Sequence, residues 1–148
     1  MTIADLGFPY ILKSMNRVVH FEIHAADPDR SQKFYQDVFG WNFEDLGPQM
    51  GHYRLVKTGN DGPGMPPVGI NGGMMPREGG LPQSGAPVNA WVCVIEVPDI
   101  DATLAKIEVA GGIMATHKME VPGIGWLAYR KDPDGNIFGV LQPQMKQP

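Results

Sequence analysis

An internal duplication constrains the fold of this chain more than any other feature of its sequence. The apolar stretch that ends at Asp27 reappears 72 positions later and ends at Asp99. The same spacing relates Asp29 to Asp101, Gly40 to Gly112 and Leu55 to Leu127. Because an ordered set of matches at one spacing is the mark of repeated supersecondary units, the sequence predicts two copies of a single unit.

Each copy is predicted to begin with a strand followed by a helix. The strands are expected at Arg17–Ala25 and Ala90–Val97, which are rich in Val, Ile and aromatic residues. Asp27 should cap the first helix, with Pro28 at the first helical position, where a missing N–H costs nothing. This helix is expected to reach about Phe39. In the second copy, Asp99 should cap the helix, and Gly111 and Gly112 should end it.

Three strands should follow each helix, which makes each copy a βαβββ module. The predicted strands are Trp41–Asp45, Tyr53–Lys57 and Val68–Met75, then Ile113–Glu120, Trp126–Arg130 and Ile137–Gln142. Turn signals at Gly59–Gly62 and Asp132–Gly135 precede the last strand of each copy. We therefore predict an α+β fold of two pseudo-symmetric modules, at about 17–76 and 90–143. They would form one domain at 17–148, after an N-terminal extension at 1–16.

Charge and cysteine content narrow the possible partners and compartment. The net charge is −4 and the pI is about 5.5, with scattered Lys and Arg. Neither nucleic acid nor an anionic membrane is therefore an expected partner. The single cysteine, Cys93, cannot form an internal disulfide, and its apolar neighbours predict a buried, inert thiol. The first sixteen residues lack the pattern of a secretory signal, so the expected localisation is cytoplasmic.

Several segments resemble the vicinal oxygen chelate superfamily, which unites glyoxalases, bleomycin resistance proteins and dioxygenases. They are Val18–Ile23, Phe34–Tyr35, Phe39–Trp41 and Lys131–Val140, and the resemblance extends from Arg17 to Pro143. Within the superfamily the chain is most similar to the branch related to lactoylglutathione lyase. The resemblance implies that two curled mixed sheets surround a concave cavity. It fixes no reaction, because the superfamily includes isomerases, epimerases, dioxygenases, thiol transferases and drug-sequestering proteins.

The resemblance also implies four metal-ligand positions, one on the first and one on the last strand of each module. In this chain they fall on His20, Val92, Gly139 and Gly72, or on Asn71 if the register shifts by one residue. Only His20 is a good ligand for a transition metal. Because a catalytic metal needs about three protein donors, we expect the inherited site to be lost and no cofactor to be bound. A divalent metal held by His20 remains the alternative.

The first strand carries the candidate site. His20, Glu22 and His24 alternate with apolar residues, so they should share the face that borders the cavity. His20 and Glu22 are the candidate catalytic residues, as a general base and the carboxylate that tunes it. The expected ligand-pocket residues are His24, Tyr53, Asn71, Val92, Glu96 and Trp126, and the repeat spacing pairs His24 with Glu96. The alternative is a polar, solvated sheet face without function.

These observations favour a protein that binds a small organic molecule and that acts on it or sequesters it. Whether the chain is an enzyme stays open at this point. One alternative is a metal-dependent lyase or isomerase of glyoxalase type, with His20, Glu22 and Glu96 as a rearranged ligand set. A second alternative is a non-catalytic protein that sequesters a drug or metabolite, and a third is an interaction subunit without a ligand. A homodimer is possible.

Overall fold

The computed structural model describes residues 16–59, 63 and 69–145. They form two compact units. The first unit is His20–Val92. The second contains the residues from Cys93 onward together with the described residues before His20. No helix in the described part of the chain is long and apolar enough to cross a bilayer.

The first unit is built on a four-stranded sheet and one α-helix. Its elements are β1 (Val18–Ala25), α1 (Pro28–Phe39), β2 (Asn42–Asp45), a 3₁₀ helix (Pro48–Met50), β3 (Arg54–Lys57) and β4 (Asn71–Pro76). The strand order is β2-β3-β4-β1. β1 and β4 are parallel, and the other pairs are antiparallel. The predicted βαβββ order is confirmed, although Val68 and Asn60–Gly62 lie outside the described residues.

The ends of α1 follow the predicted capping chemistry. The Asp27 side chain accepts a hydrogen bond from the Arg30 amide at 3.1 Å, and Pro28 occupies the first turn. At the other end, Gly40 has φ 69°, and its amide donates to the Gln36 carbonyl oxygen. Because this left-handed conformation strains residues with a Cβ, glycine is the residue that suits this C-terminus.

The core of the first unit lies between α1 and one face of the sheet. Its buried side chains are Phe21, Ile23, Ala25, Val56 and Met74, with Tyr35, Trp41 and Phe43 packed against them. The apolar stripe predicted on α1 is only partly used, because Tyr35 reaches this core whereas Phe34 and Val38 are 53% and 56% exposed. The helix therefore buries one edge of its apolar surface and leaves the rest open.

The second unit repeats the plan of the first. Its elements are β5 (Val92–Glu96), α2 (Ile100–Val109), β6 (Ile113–Met114), β7 (Met119–Val121), β8 (Gly125–Lys131) and β9 (Ile137–Pro143). The strand order is β5-β9-β8-β6, with β7 also pairing with β8. The first and last strands, β5 and β9, are again parallel. The α+β fold of two related βαβββ modules is confirmed.

Two main-chain hydrogen bonds join the described residues before β1 to this second unit. The Asn16 amide donates to the Glu96 carbonyl at 2.8 Å, and the Glu96 amide donates to the Arg17 carbonyl at 2.9 Å. The unit's core contains Val97, Ile100, Ala128 and Val140, with Ile95, Leu104, Ile107 and Phe138 around it. The second unit is therefore assembled from two separate stretches of chain.

Two predictions about the second unit are wrong. Ile113–Glu120 is not one strand, because the amides of Ala115 and Thr116 both donate to the Tyr129 carbonyl, which interrupts the ladder between β6 and β7. Cys93 is exposed rather than buried. In the short strand β5, Val92 and Val94 take the buried face, so alternation turns Cys93 to the opposite side.

The predicted helix cap and turn of the second unit are confirmed. The Asp99 side chain accepts from the Ala102 amide at 3.0 Å and begins α2. Gly111, at φ 93°, follows the end of this helix. The turn before β9 closes when the Gly135 amide donates to the Asp132 carbonyl, while the Asp132 carboxylate accepts from the Asp134 and Asn136 amides.

Candidate functional site

Strand β1 separates an apolar face from a polar one. Phe21 and Ile23 enter the core beneath α1, and the alternation of a strand therefore sends His20 and Glu22 to the opposite face. Glu22 is only 4% exposed. The alternative of a solvated polar face therefore does not hold at Glu22, where the protein keeps a carboxylate away from water.

Tyr53, immediately before β3, completes a cluster with these two residues. Its hydroxyl oxygen lies 2.7 Å from His20 Nε2. The same hydroxyl donates to Glu22 Oε2 at 3.4 Å. The His20 and Tyr53 rings are nearly parallel, with an interplanar angle of 13°. Tyr53 was predicted as a ligand-pocket residue, but its hydrogen bonds to both candidate catalytic residues were not predicted.

Gly73 on β4 makes room for the Tyr53 ring. In the sheet, Gly73 pairs with Glu22 on one side and with Leu55 on the other. A Cβ at Gly73 would overlap the Tyr53 hydroxyl oxygen, Cζ and Cε1. The phenol therefore lies directly over the backbone of β4, and it could not reach His20 across any larger residue.

The protonation states of this cluster follow from its burial. Desolvation lowers the pKa of the His20 imidazole, and the nearby Glu22 charge opposes that shift without reversing it. Desolvation, followed by the charge of Glu22 and its hydrogen bond, raises the pKa of the Tyr53 phenol. At neutral pH the site therefore presents a neutral imidazole beside a protonated phenol. A neutral imidazole accepts a proton, and a phenol donates a hydrogen bond.

Asn71 lies level with His20 across the β1–β4 pair, whereas Gly72 lies level with Phe21. The first of the two registers considered from the sequence, with Gly72 at the ligand position, is therefore wrong. A Cβ at Gly72 would come within 2.5 Å of the Phe21 ring, on the core face. The Asn71 side-chain oxygen accepts from the Thr58 amide at 2.9 Å. This bond ties together the ends of β3 and β4.

The remaining predicted pocket residues have other surroundings within their own units. His24, at the end of β1, lines a separate cleft of the first unit. Val92 is buried at the start of β5. Glu96 and Trp126 belong to the second unit, where Lys118 Nζ lies 4.9 Å from the centre of the Trp126 ring. The proposed pairing of His24 with Glu96 stays a prediction.

The four-ligand metal site implied by the resemblance does not fit these residues. Val92 has no donor atom, and Asn71 has its amide oxygen engaged by Thr58. At Gly139 a Cβ would already come within 3.1 Å of Val94 and 3.2 Å of Tyr129, which leaves little room for a glutamate. In the described ranges, no three His, Cys, Asp or Glu residues lie close enough together to hold an ion.

Comparison with known proteins identifies sequences that are similar to this chain. Residues 17–59 match the family described as "Bleomycin resistance protein-like N-terminal". The Mycobacterium bovis protein named "Putative glyoxylase CFP32" is 33% identical over 127 residues, which are 85% of this chain and 44% of the relative. The chain therefore spans less than half the length of that relative.

Solved structures with the same fold include proteins of distant sequence. A glyoxalase/bleomycin resistance protein/dioxygenase superfamily member from Vibrio splendidus superposes with a TM-score of 0.59 at 18% identity, over 88% of this chain and all of that one. Methylmalonyl-CoA epimerase from Mycobacterium tuberculosis gives 0.58 at 16% identity, over 86% and 88% of the two chains. With the duplicated βαβββ modules, these matches show that the chain has the fold of the glyoxalase/bleomycin resistance/dioxygenase superfamily, also called vicinal oxygen chelate.

Proposed function

We propose that this chain binds a small organic molecule bearing a carbonyl group on the polar face of β1, and that His20 and Tyr53 handle its proton. The observation that carries the proposal is the hydrogen-bonded cluster of His20, Tyr53 and Glu22. Burying a carboxylate is costly unless specific contacts compensate it. A cluster of this kind is therefore a better candidate for function than for stability.

The roles follow from the protonation states. His20, kept neutral by burial, is the group that accepts a proton from an acidic C–H or O–H of the ligand. The Tyr53 phenol stays protonated, and its single O–H turns from Glu22, 3.4 Å away, to donate to a carbonyl oxygen of the ligand. The Glu22 carboxylate is a positioning group, since it orients the phenol before the ligand binds and favours the imidazolium that forms on His20.

Relatives support the ligand class without specifying the ligand. One solved protein with a similar fold is an epimerase, whose structure contains bound methylmalonyl-CoA. Other similar proteins are described as glyoxylases or as anthracycline biosynthesis proteins. All of these names refer to the chemistry of organic molecules. For this chain the shared cavity between modules, a homodimer and a cytoplasmic location also remain proposals.

Deuterium exchange in D₂O tests the proton-handling role. Proton NMR would follow the C–H groups beside the carbonyl in methylmalonyl-CoA and in a panel of small 2-oxo acids and thioesters. We expect exchange of at least one compound by the parent protein and a loss of about 100-fold or more in His20→Gln, which removes the base. Tyr53→Phe, which keeps the ring, should lose less. Equal exchange by parent and His20→Gln would contradict the proposal.

Two further outcomes separate the alternatives. Binding without exchange, retained in His20→Gln, would favour a protein that sequesters its ligand. Elemental analysis of protein purified without a metal-affinity tag tests the alternative of a metal-dependent lyase or isomerase. Stoichiometric nickel, zinc, manganese or iron would overturn the metal-independent part of the proposal.

A further inference from the structure

The first unit contains a cleft at the carboxyl end of β1, and the His20 cluster does not line it. It has a volume of about 250 Å³. The residues that matter most for its chemistry are Ile23, Tyr35, Leu81 and Trp91, which are apolar or aromatic, and Arg30 and Arg77, which are cationic. The cleft therefore combines an aromatic wall with two guanidinium groups.

Arg77 is held in place by neutral partners rather than by an acid. Its Nη1 donates to the Asn89 side-chain oxygen and its Nη2 to the His24 carbonyl oxygen, both at 2.8 Å. Its Nε is buried and has no hydrogen-bond partner within the described ranges. Within the same ranges no carboxylate lies within 4.0 Å of the guanidinium of Arg77 or of Arg30. The positive charge of Arg77 is thus held in place, and no carboxylate among the described residues neutralises it.

An arginine that lines a cleft without a carboxylate beside it attracts an anionic ligand. Guanidinium groups present their N–H donors in a fork that matches the two oxygens of a carboxylate. The chain as a whole has a net charge of −4, so two unpaired arginines in one cleft are a local exception. Of the carboxylates near these arginines in the chain, Asp27 caps α1 at the Arg30 amide, and Asp29 pairs with Arg54 at 2.6 Å. Glu78, which follows Arg77, is exposed.

The apolar wall narrows the choice of anion. Trp91 and Tyr35 meet edge to face, with ring centroids 5.9 Å apart, and Trp91 is still 43% exposed. A flat ring placed against Trp91 would bury apolar surface that is now open to water. Since pockets for drug-sized ligands measure about 300–1,000 Å³, this cleft suits a smaller molecule.

We infer that this cleft is a binding site for a small aromatic carboxylic acid. The carboxylate binds Arg77 and Arg30, and the ring packs against Trp91. The inference is independent of the proposed proton chemistry, because none of His20, Glu22 and Tyr53 lines the cleft.

Isothermal titration calorimetry with benzoate tests this inference. We expect saturable binding, a dissociation constant about tenfold higher in Arg30→Gln, and at least as large a loss in Arg77→Gln, since each charge-assisted bond contributes more than a neutral one. Lys33→Gln is the matched control, because it removes a cation from an exposed site on the same helix and should leave the affinity unchanged. His20→Gln should also bind benzoate as the parent does.

The controls make each outcome decisive. Arg77 donates hydrogen bonds to Asn89 and His24, so Arg77→Gln could lose affinity because the fold is perturbed. Arg30 is exposed, so a loss of affinity in Arg30→Gln reports on binding and not on folding. Benzyl alcohol, which lacks the charge, should bind about tenfold more weakly than benzoate. The inference fails if benzoate shows no saturable binding up to about 10 mM or if benzyl alcohol binds equally well. It also fails if Lys33→Gln loses as much affinity as Arg30→Gln, if His20→Gln abolishes binding, or if equimolar inorganic phosphate displaces benzoate.

Discussion

Substituting Gly73 with alanine tests directly how the candidate site is built. The added methyl group would occupy the space of the Tyr53 hydroxyl and of two ring carbons, so the phenol must move. Overpacking of this kind costs about 1–3 kcal/mol. The displaced phenol also loses its 2.7 Å hydrogen bond to His20, which adds about 1 kcal/mol. We therefore expect Gly73→Ala to lower the free energy of unfolding by about 2–4 kcal/mol.

Urea denaturation followed by circular dichroism measures this loss, and a second glycine supplies the control. Gly59 has no atom within 4 Å of a built Cβ and no positive φ, so Gly59→Ala should change the free energy of unfolding little. It also reports the general effect of replacing glycine on the unfolded chain.

A double-mutant cycle then identifies the cause of the loss. In a Tyr53→Ala background the ring is gone, so adding Gly73→Ala should cost about 2 kcal/mol less than it does in the parent. In a Tyr53→Phe background the ring carbons remain, and the cost should persist. The reasoning would be refuted if Gly73→Ala cost no more than Gly59→Ala, or if its cost were the same with and without the ring.

Three further predictions follow from single features of the structure. Because burial lowers the pKa of His20 below 6.5, the unfolded state takes up a proton more readily. The free energy of unfolding should therefore fall as pH drops below about 6.5 and level off below the folded-state pKa, and His20→Gln, measured by urea denaturation across pH 4–8, should flatten that fall. Asp27→Ala, which removes the cap of α1, should cost about 0.5–2 kcal/mol in the same assay, whereas Asp37→Ala, on the exposed face, should cost a few tenths. The exposed Cys93 should react with a thiol reagent such as DTNB in the native state, with a rate close to that in urea, and a thiol that reacts only after unfolding would show the described exposure to be wrong.

The parts of the fold that local rules control could be predicted from the sequence. Asp27 and Asp99 each precede an apolar-periodic stretch, and both cap a helix as expected. The alternation along β1 correctly assigned Phe21 to the core and Glu22 to the other face. These features depend on neighbours a few residues away, and the sequence contains those neighbours.

The features that were missed depend on contacts between distant parts of the chain. The reach of Tyr53 to His20 depends on Gly73, twenty positions later in the chain, and on the register that brings Gly73 level with Glu22. The adjacent glycines Gly72 and Gly73 inside a predicted strand were the available signal, since glycine there often marks a close approach. The sequence did not indicate that Arg77 lines a cleft, because the cleft forms only when β1 and the segment near Trp91 come together.

The pairing of Asn16 and Arg17 with Glu96 has a consequence for how the molecule is made. These residues leave the ribosome before their main-chain partner, which is synthesised about eighty residues later. Such a contact closes a long loop, and contacts of this kind form late and slow the folding reaction. In a nascent chain that is halted before Glu96, the Asn16 N–H and the Arg17 C=O would therefore lack these hydrogen-bond partners. This end of the strand could then pair with a neighbouring chain.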